Sequence, residues 1–216
     1  MARDQQQSSP STLDKAAASV VDRLIDLGIG GVGPFDPARD VADAARAASR
    51  SVEDAVDAVV ADHTRLAAAG GFVTGLGGFV TLPVALPANV VGFYLVAARM
   101  VAAIAHLRGH DLQAPQVRTA LLVTLVGGDA DDILAKAGVV APGGRVARLA
   151  LQRLPAPALM MVNKGIAFRL VSRLVSRGVA RLGRAVPFVG GAVGAGLDGY
   201  LLRRIATAAK RELAEV

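Results

Sequence analysis

The sequence has no cysteine and no tryptophan, and aromatic residues make up only 4% of its 216 positions. Without cysteine there is no disulfide, no thiolate nucleophile and no thiolate metal ligand. Prenylation and palmitoylation have no acceptor, and N-myristoylation lacks its glycine because position 2 is Ala2. The opening MARDQQQSSP carries no apolar run, so no signal peptide is expected there. Residues 1–12 read as a disordered lead-in, and residues 13–216 as one helical domain.

Two further absences are local. No charged residue stands between Arg65 and Arg99, a gap longer than the ~20 apolar residues that a membrane-crossing helix needs. No carboxylate stands between Asp132 and Asp198, although basic residues recur throughout that interval. What is present agrees with these gaps. The chain is 53% hydrophobic, with a mean hydropathy of +0.45, a net charge of +6 and a pI near 10.5. Such a balance favours an anionic partner, either lipid headgroups or nucleic acid.

Apolar spacing is helical from Leu13, with Leu13, Ala17, Val20, Leu24 and Leu27 on one face and Gly28 as the stop. After a Gly/Pro loop, Asp36 as N-cap and Pro37 at the first helical position predict a long Ala-rich helix to about residue 69. Its exposed face would carry Asp40, Asp43, Arg46, Arg50, Glu53, Asp54 and Asp57. Within 66–98, Gly70, Gly71, Gly75, Gly77 and Gly78 predict a short glycine-rich helix or turn over 70–81. Pro83 and Pro87 predict a break at 82–87, followed by a helix over 88–107 capped by Gly109. Gly71 and Gly75 stand four apart, the spacing that lets helix backbones approach closely. Further helices are expected over 115–126, over 158–184, and from the glycine-rich block 190–196 to the C-terminal basic residues.

The 158–184 helix carries Arg169, Arg173, Arg177 and Arg181 at intervals of four, and with Arg184 they cover an arc of roughly 120°. Such a stripe suits an anionic membrane surface, at about 1 kcal/mol per cation, or is the solvated side of an amphipathic helix. Nucleic acid is not expected, because the basic region offers little aromatic stacking and no recognition motif. The block containing Gly190, Gly191 and Gly194 suits either a tight helix–helix contact or a membrane-inserting element.

Other motifs are weaker. Gly28-x-Gly30-x-x-Gly33 matches the dinucleotide fingerprint in letters only, since a helix rather than a strand precedes it and Pro34 follows. His106 and His110 with Asp111 form a possible metal set, and Asp129, Asp131 and Asp132 a possible cation cluster. Helix termini and capping account for both without a metal. His63 is isolated and expected to be exposed, and no Gly-x-Ser-x-Gly elbow is present. No catalytic residues, metal or cofactor are therefore assigned.

The run Gly70-Gly71-Phe72-Val73-Thr74-Gly75-Leu76-Gly77-Gly78, with Leu82-Pro83, Leu86-Pro87-Ala88-Asn89 and Gly109-His110-Asp111-Leu112, resembles the EcsC family of bacterial proteins. The second similar block is Pro187-Phe188-Val189-Gly190-Gly191-Ala192-Val193-Gly194-Ala195, and the resemblance covers about residues 65–212. Arg108 stands where that family commonly has an aromatic residue, and Asn89 where an acidic one is often seen. The resemblance implies a helical, membrane-associated accessory of an ABC transporter or envelope process, without an established enzymatic activity.

The expected fold is thus all-α, a single domain of about six to eight helices with a glycine/proline-broken apolar central hairpin. The expected function is non-enzymatic association with the cytoplasmic side of a membrane, peripheral or partly inserted, beside a possible membrane-protein partner. Anionic lipid would meet Arg169, Arg173, Arg177, Arg181 and Arg184. Gly71, Gly75, Gly78, Pro83, Pro87, Gly190, Gly191 and Gly194 would serve apolar insertion or close packing. The alternative is a soluble helical protein holding a lipid or other apolar ligand between its glycine-rich helices.

Overall fold

In the computed structural model, residues 12–76, 78–126, 187–213 and 215–216 are described. Among them are six helices and no strand: α1 (Thr12–Gly30), α2 (Ala38–Ala47), α3 (Val52–Leu76), α4 (Gly78–Leu107), α5 (Pro115–Val126) and α6 (Pro187–Glu212). The expected arginine stripe at 169–184 and the Asp129–Asp131–Asp132 cluster lie outside the described residues.

The buried face of α1 is Val21, Leu24, Ile25 and Gly28, the i, i+3, i+4, i+7 stripe of an amphipathic helix. The expected face is rotated by about one position, and Val20 is exposed. The helix continues past Gly28 to Gly30, because Gly28 serves as a crossing point rather than a stop. A Cβ placed on Gly28 would stand 2.8 Å from the Ala98 Cβ of α4. The chain turns instead at Gly31, whose φ of +78° is a left-handed conformation suited to glycine.

The single helix expected over 37–69 is two helices. Pro37 is the N-cap of α2, and no side chain caps it, so Asp36 does not play the expected part. The break after Ala47 follows from Ser51, whose Oγ accepts the Asp54 N–H at 3.0 Å and so starts α3 afresh. Glu53 and Asp54 then place carboxylates in the first turn, where the helix dipole favours them.

The central apolar hairpin is present, but its break lies beside Gly78 rather than at 82–87. Helix α3 runs on to Leu76, and α4 runs unbroken across Pro83 and Pro87 to Leu107. Each proline forfeits one ladder hydrogen bond, and spaced four apart they affect the same side of the helix. Burial further along α4 offsets this. Phe93, Tyr94, Ala97, Met100, Val101 and Ile104 are buried there among all five other helices. The stretch Val90–Leu107 is the one segment among the described residues long and apolar enough to cross a membrane, yet most of it is enclosed by protein.

Helix α4 closes in a Schellman arrangement: His110 N–H donates to the Ala105 carbonyl and Gly109 N–H to that of His106, both at 3.0 Å. Gly109 supplies the positive φ of +82°. The expected end at Gly109 and the expected helix over 115–126 both agree with the fold. Beside that end, the buried Arg108 ties three helices together. Its Nη1 donates to the carbonyls of Lys210 and Leu213 at 2.6 Å each, and its Nη2 to Glu53 at 2.7 Å. Arg108 is therefore a structural clamp, holding the ends of α4 and α6 to the start of α3.

Candidate membrane-facing end

Helices α3 and α6 run antiparallel with their glycines opposed. A Cβ on Gly71 would lie 2.5 Å from the Gly194 carbonyl oxygen and 2.6 Å from Asp198 Oδ2. A Cβ on Gly75 would lie 2.6 Å from the Gly190 carbonyl carbon, and Gly194 meets the Gly71 carbonyl in return. Gly191 faces the Phe72 ring and the Leu76 side chain. Contacts this close leave no room for side chains, so the two backbones pack directly on one another. Farther along the pair, Gly199 sits against Ala68 and Thr64, and Lys210 pairs with Asp57. The same alignment therefore holds over the length of both helices.

The structure sorts charge along this pair. Its far end holds Asp57 with Lys210, Glu53 with Arg108, and Asp62 with Arg65. Its near end, formed by residues 66–76 of α3 and the start of α6, exposes no charged side chain, and Asp198, which reaches Gly71, is buried. Among the described residues, part of that end is left exposed. Val73 is 66% exposed and Phe72 42%, with Leu66 and Val193 also exposed. The hydroxyl in this stretch of α3, Thr74 Oγ1, donates back to the Gly70 carbonyl at 2.9 Å, so its polarity is satisfied inside the helix. Named contacts of α1 and α2 with α4 fall at Ala98, Arg99 and His106, in the half of α4 away from this end.

The expected residues 66–98 therefore divide in two. Val90, Phe93, Tyr94 and Val96 to Ala98 belong to the protein core, whereas 66–76 presents an apolar surface. Gly71 and Gly75 meet Gly190, Gly191 and Gly194. Gly78, Pro83 and Pro87 lie on the helical backbone of α4, at and after its first residue.

Three polar groups escaped the sequence reading. His63 is 3% exposed rather than solvent-facing, because it lies on the α3 stripe with Ala55, Val56, Val59, Ala67 and Gly71. Its Nδ1 donates to the Val59 carbonyl at 2.8 Å, and its Nε2 has no partner among the described residues. Burial, with the nearby Arg99 cation, lowers its pKa from 6.5 to about 4, against the Val59 hydrogen bond and Asp62, so the ring is neutral. Arg99 lies over the Phe35 ring at 5.3 Å, and burial lowers its pKa against the pull of Asp36. Asp198 is buried beside Gly71. The spacing of His63 four residues from Val59 and Ala67 is the signal that could have placed it inside.

His106, His110 and Asp111 do share a cleft of about 560 Å³, with Ile29, Pro37, Arg39, Asp40, Leu112 and Gln113. Their local bonds diverge: His106 Nε2 donates to Asp43 at 3.2 Å, while Asp111 Oδ1 accepts the Gln113 N–H at 2.9 Å. Among the described residues, no three metal-ligating side chains converge on one point. The fingerprint glycines form the end of α1 and a turn closed by paired Val32 and Phe35 backbone bonds, with no strand before them.

No known family model, curated protein or solved structure matches the chain.

Proposed function

We propose that this protein is a non-enzymatic, membrane-associated helical protein that meets lipid through the uncharged end of the α3–α6 pair. The observation that carries this reading is the exposure of Phe72, Val73 and Val193 on an end whose surface shows no charged side chain. Water solvates such a surface poorly, at roughly 25 cal/mol for each Å² of apolar area left uncovered. A lipid acyl region removes that cost. The basic balance of the chain, at +6, favours an anionic membrane. The EcsC-like residues support the same reading, and with it an accessory role beside a transporter or envelope process on the cytoplasmic side.

The alternative, an apolar ligand held between the glycine-rich helices, has less in its favour. The backbones of Gly71 and Gly75 touch those of Gly190 and Gly194, so no ligand fits between them at those residues. Fractionation of the expressed protein tests the proposal. Membranes are collected, washed with high salt and then with alkaline carbonate. Retention through both washes is expected of apolar insertion, and release by salt alone would mean surface docking by the basic residues. Recovery wholly in the soluble fraction would refute the reading.

A further inference from the structure

Resting on that membrane reading, we infer that the α3–α6 end enters one leaflet only, and that Tyr200, Arg203 and Arg204 form the rim that stops it at anionic headgroups. Residues 66–76 of α3 rise about 15 Å, half of the ~30 Å hydrocarbon core of a bilayer. The apolar length matches a single leaflet. Its lower boundary is built from α6, where Gly199 lies between Ala68 and Thr64 and so puts Tyr200 level with Leu66. Tyr200 is 59% exposed, an amphipathic ring at the height where the uncharged end gives way to charge. Aromatic residues of this kind gather at the membrane–water interface, with the ring in the acyl boundary and the hydroxyl in the headgroups.

Arg203 and Arg204 follow within one turn on the exposed side of α6, and neither enters an ion pair among the described residues. On α3 the matching position is Arg65, whose guanidinium already holds Asp62 at 2.9 Å. From Ala192 to Arg204 the exposed residues of α6 thus run Ala192, Val193, Gly196, Tyr200, Arg203 and Arg204, apolar to aromatic to cationic over about three turns. That order is the depth profile of one leaflet: acyl chain, interface, phosphate. The rim places two cations on the lipid phosphates. It also resists deeper entry, because Arg203, Arg204 and the Asp62–Arg65 pair would have to leave water.

The absence of native cysteine makes the depth measurable, because a single introduced thiol is the only label site. Full-length Val73→Cys, Leu66→Cys and Thr207→Cys variants would carry an environment-sensitive fluorophore. They would be bound to phosphatidylglycerol/phosphatidylcholine vesicles containing quenchers at graded acyl depths. The expected result is strongest quenching of the Val73 label by the deep quencher, of the Leu66 label by the shallow one, and none of the Thr207 label. Equal shallow quenching of Val73 and Leu66 would overturn leaflet insertion in favour of a flat surface contact. Deep quenching at Thr207 would overturn it in favour of a span. Absence of vesicle binding by every variant and by the parent would sink the membrane reading itself. Replacing both rim cations, as Arg203→Ala with Arg204→Ala, should weaken binding to the anionic vesicles by roughly 30-fold, from about 1 kcal/mol per cation. Unchanged affinity would remove the rim from the account. A vesicle-free dimer that the Val73 label perturbs, in place of vesicle binding, would assign the end to a second copy of the chain.

Discussion

Alanine at Gly71 should destabilise the fold although it improves the helix. In an open helical position, replacing glycine by alanine gains about 1 kcal/mol, because glycine has more backbone freedom to lose. Gly196 provides that reference: it lies in α6, and nothing stands within 4 Å of a Cβ built there. At Gly71 the added methyl meets the Gly194 carbonyl oxygen at 2.5 Å and Asp198 Oδ2 at 2.6 Å. One obstacle is backbone and the other a buried carboxylate, so neither yields by a simple rotation. Overpacking of this kind costs ~1–3 kcal/mol, and a forced shift of two helix backbones belongs at the upper end. Net of the propensity gain, Gly71→Ala should lose about 2 kcal/mol, while Gly196→Ala should gain about 1 kcal/mol. For a chain of this size the two variants should differ in Tm by roughly 6–12 °C. Circular dichroism during urea and thermal unfolding reads both, with midpoints compared at equal slope. If Gly71→Ala were as stable as Gly196→Ala, the α3 and α6 backbones would not be in contact, and the alignment of the uncharged end would fall with them.

Other consequences follow from the same geometry. Arg108→Met should cost about 3–5 kcal/mol in urea unfolding, because it leaves the Lys210 and Leu213 carbonyls without their donor, whereas Glu53→Gln, at the exposed side of the pair, should cost under ~1 kcal/mol. His63 is neutral in the fold with a pKa of about 4 and would regain 6.5 on unfolding. The unfolded chain therefore binds the extra proton between those values, and stability should be complete above about pH 6.5 and fall by about 3 kcal/mol as the pH drops to 4. His63→Leu should flatten that part of the pH–stability curve; an unchanged slope would place the acid sensitivity elsewhere. Ser51→Ala should cost about 1 kcal/mol by removing the acceptor for the Asp54 N–H, readable as a lowered Tm.

The sequence reading succeeds where a single local signal decides the structure. Pro115 opens α5 and Gly109 closes α4, both by backbone rules that need no partner. It fails where tertiary contacts compete with local preference. Gly28 looks like a stop but is a crossing point against Ala98, visible only once α4 is in place. Pro83 and Pro87 look like a break, yet α4 continues because its later turns are buried among the other helices. Ser51 is a legible cap hidden by an alanine-rich run that invites a single helix. At the candidate site the glycine spacing of Gly71, Gly75 and Gly190 to Gly194 is legible, but its pairing is not. Nothing in sequence says that Gly71 faces Gly194, or that Val90, Phe93, Tyr94 and Val96 to Ala98 turn inward while Phe72 and Val73 remain outside. Arg108 reads only as a departure from a resemblance, because its three partners lie far away in the chain.

The most direct test of the central claim is flotation of the purified protein with phosphatidylglycerol-containing vesicles, comparing the parent with Val73→Asp. Val73 is exposed and makes no core contact, so the substitution should leave the thermal transition within ~0.5 kcal/mol of the parent's stability. It places a carboxylate in the acyl region, where a charge costs ~2.5–3.5 kcal/mol. The expected result is flotation of the parent and loss of about a hundredfold in vesicle affinity for the folded variant. Equal flotation of both proteins would contradict a membrane contact through the uncharged α3–α6 end.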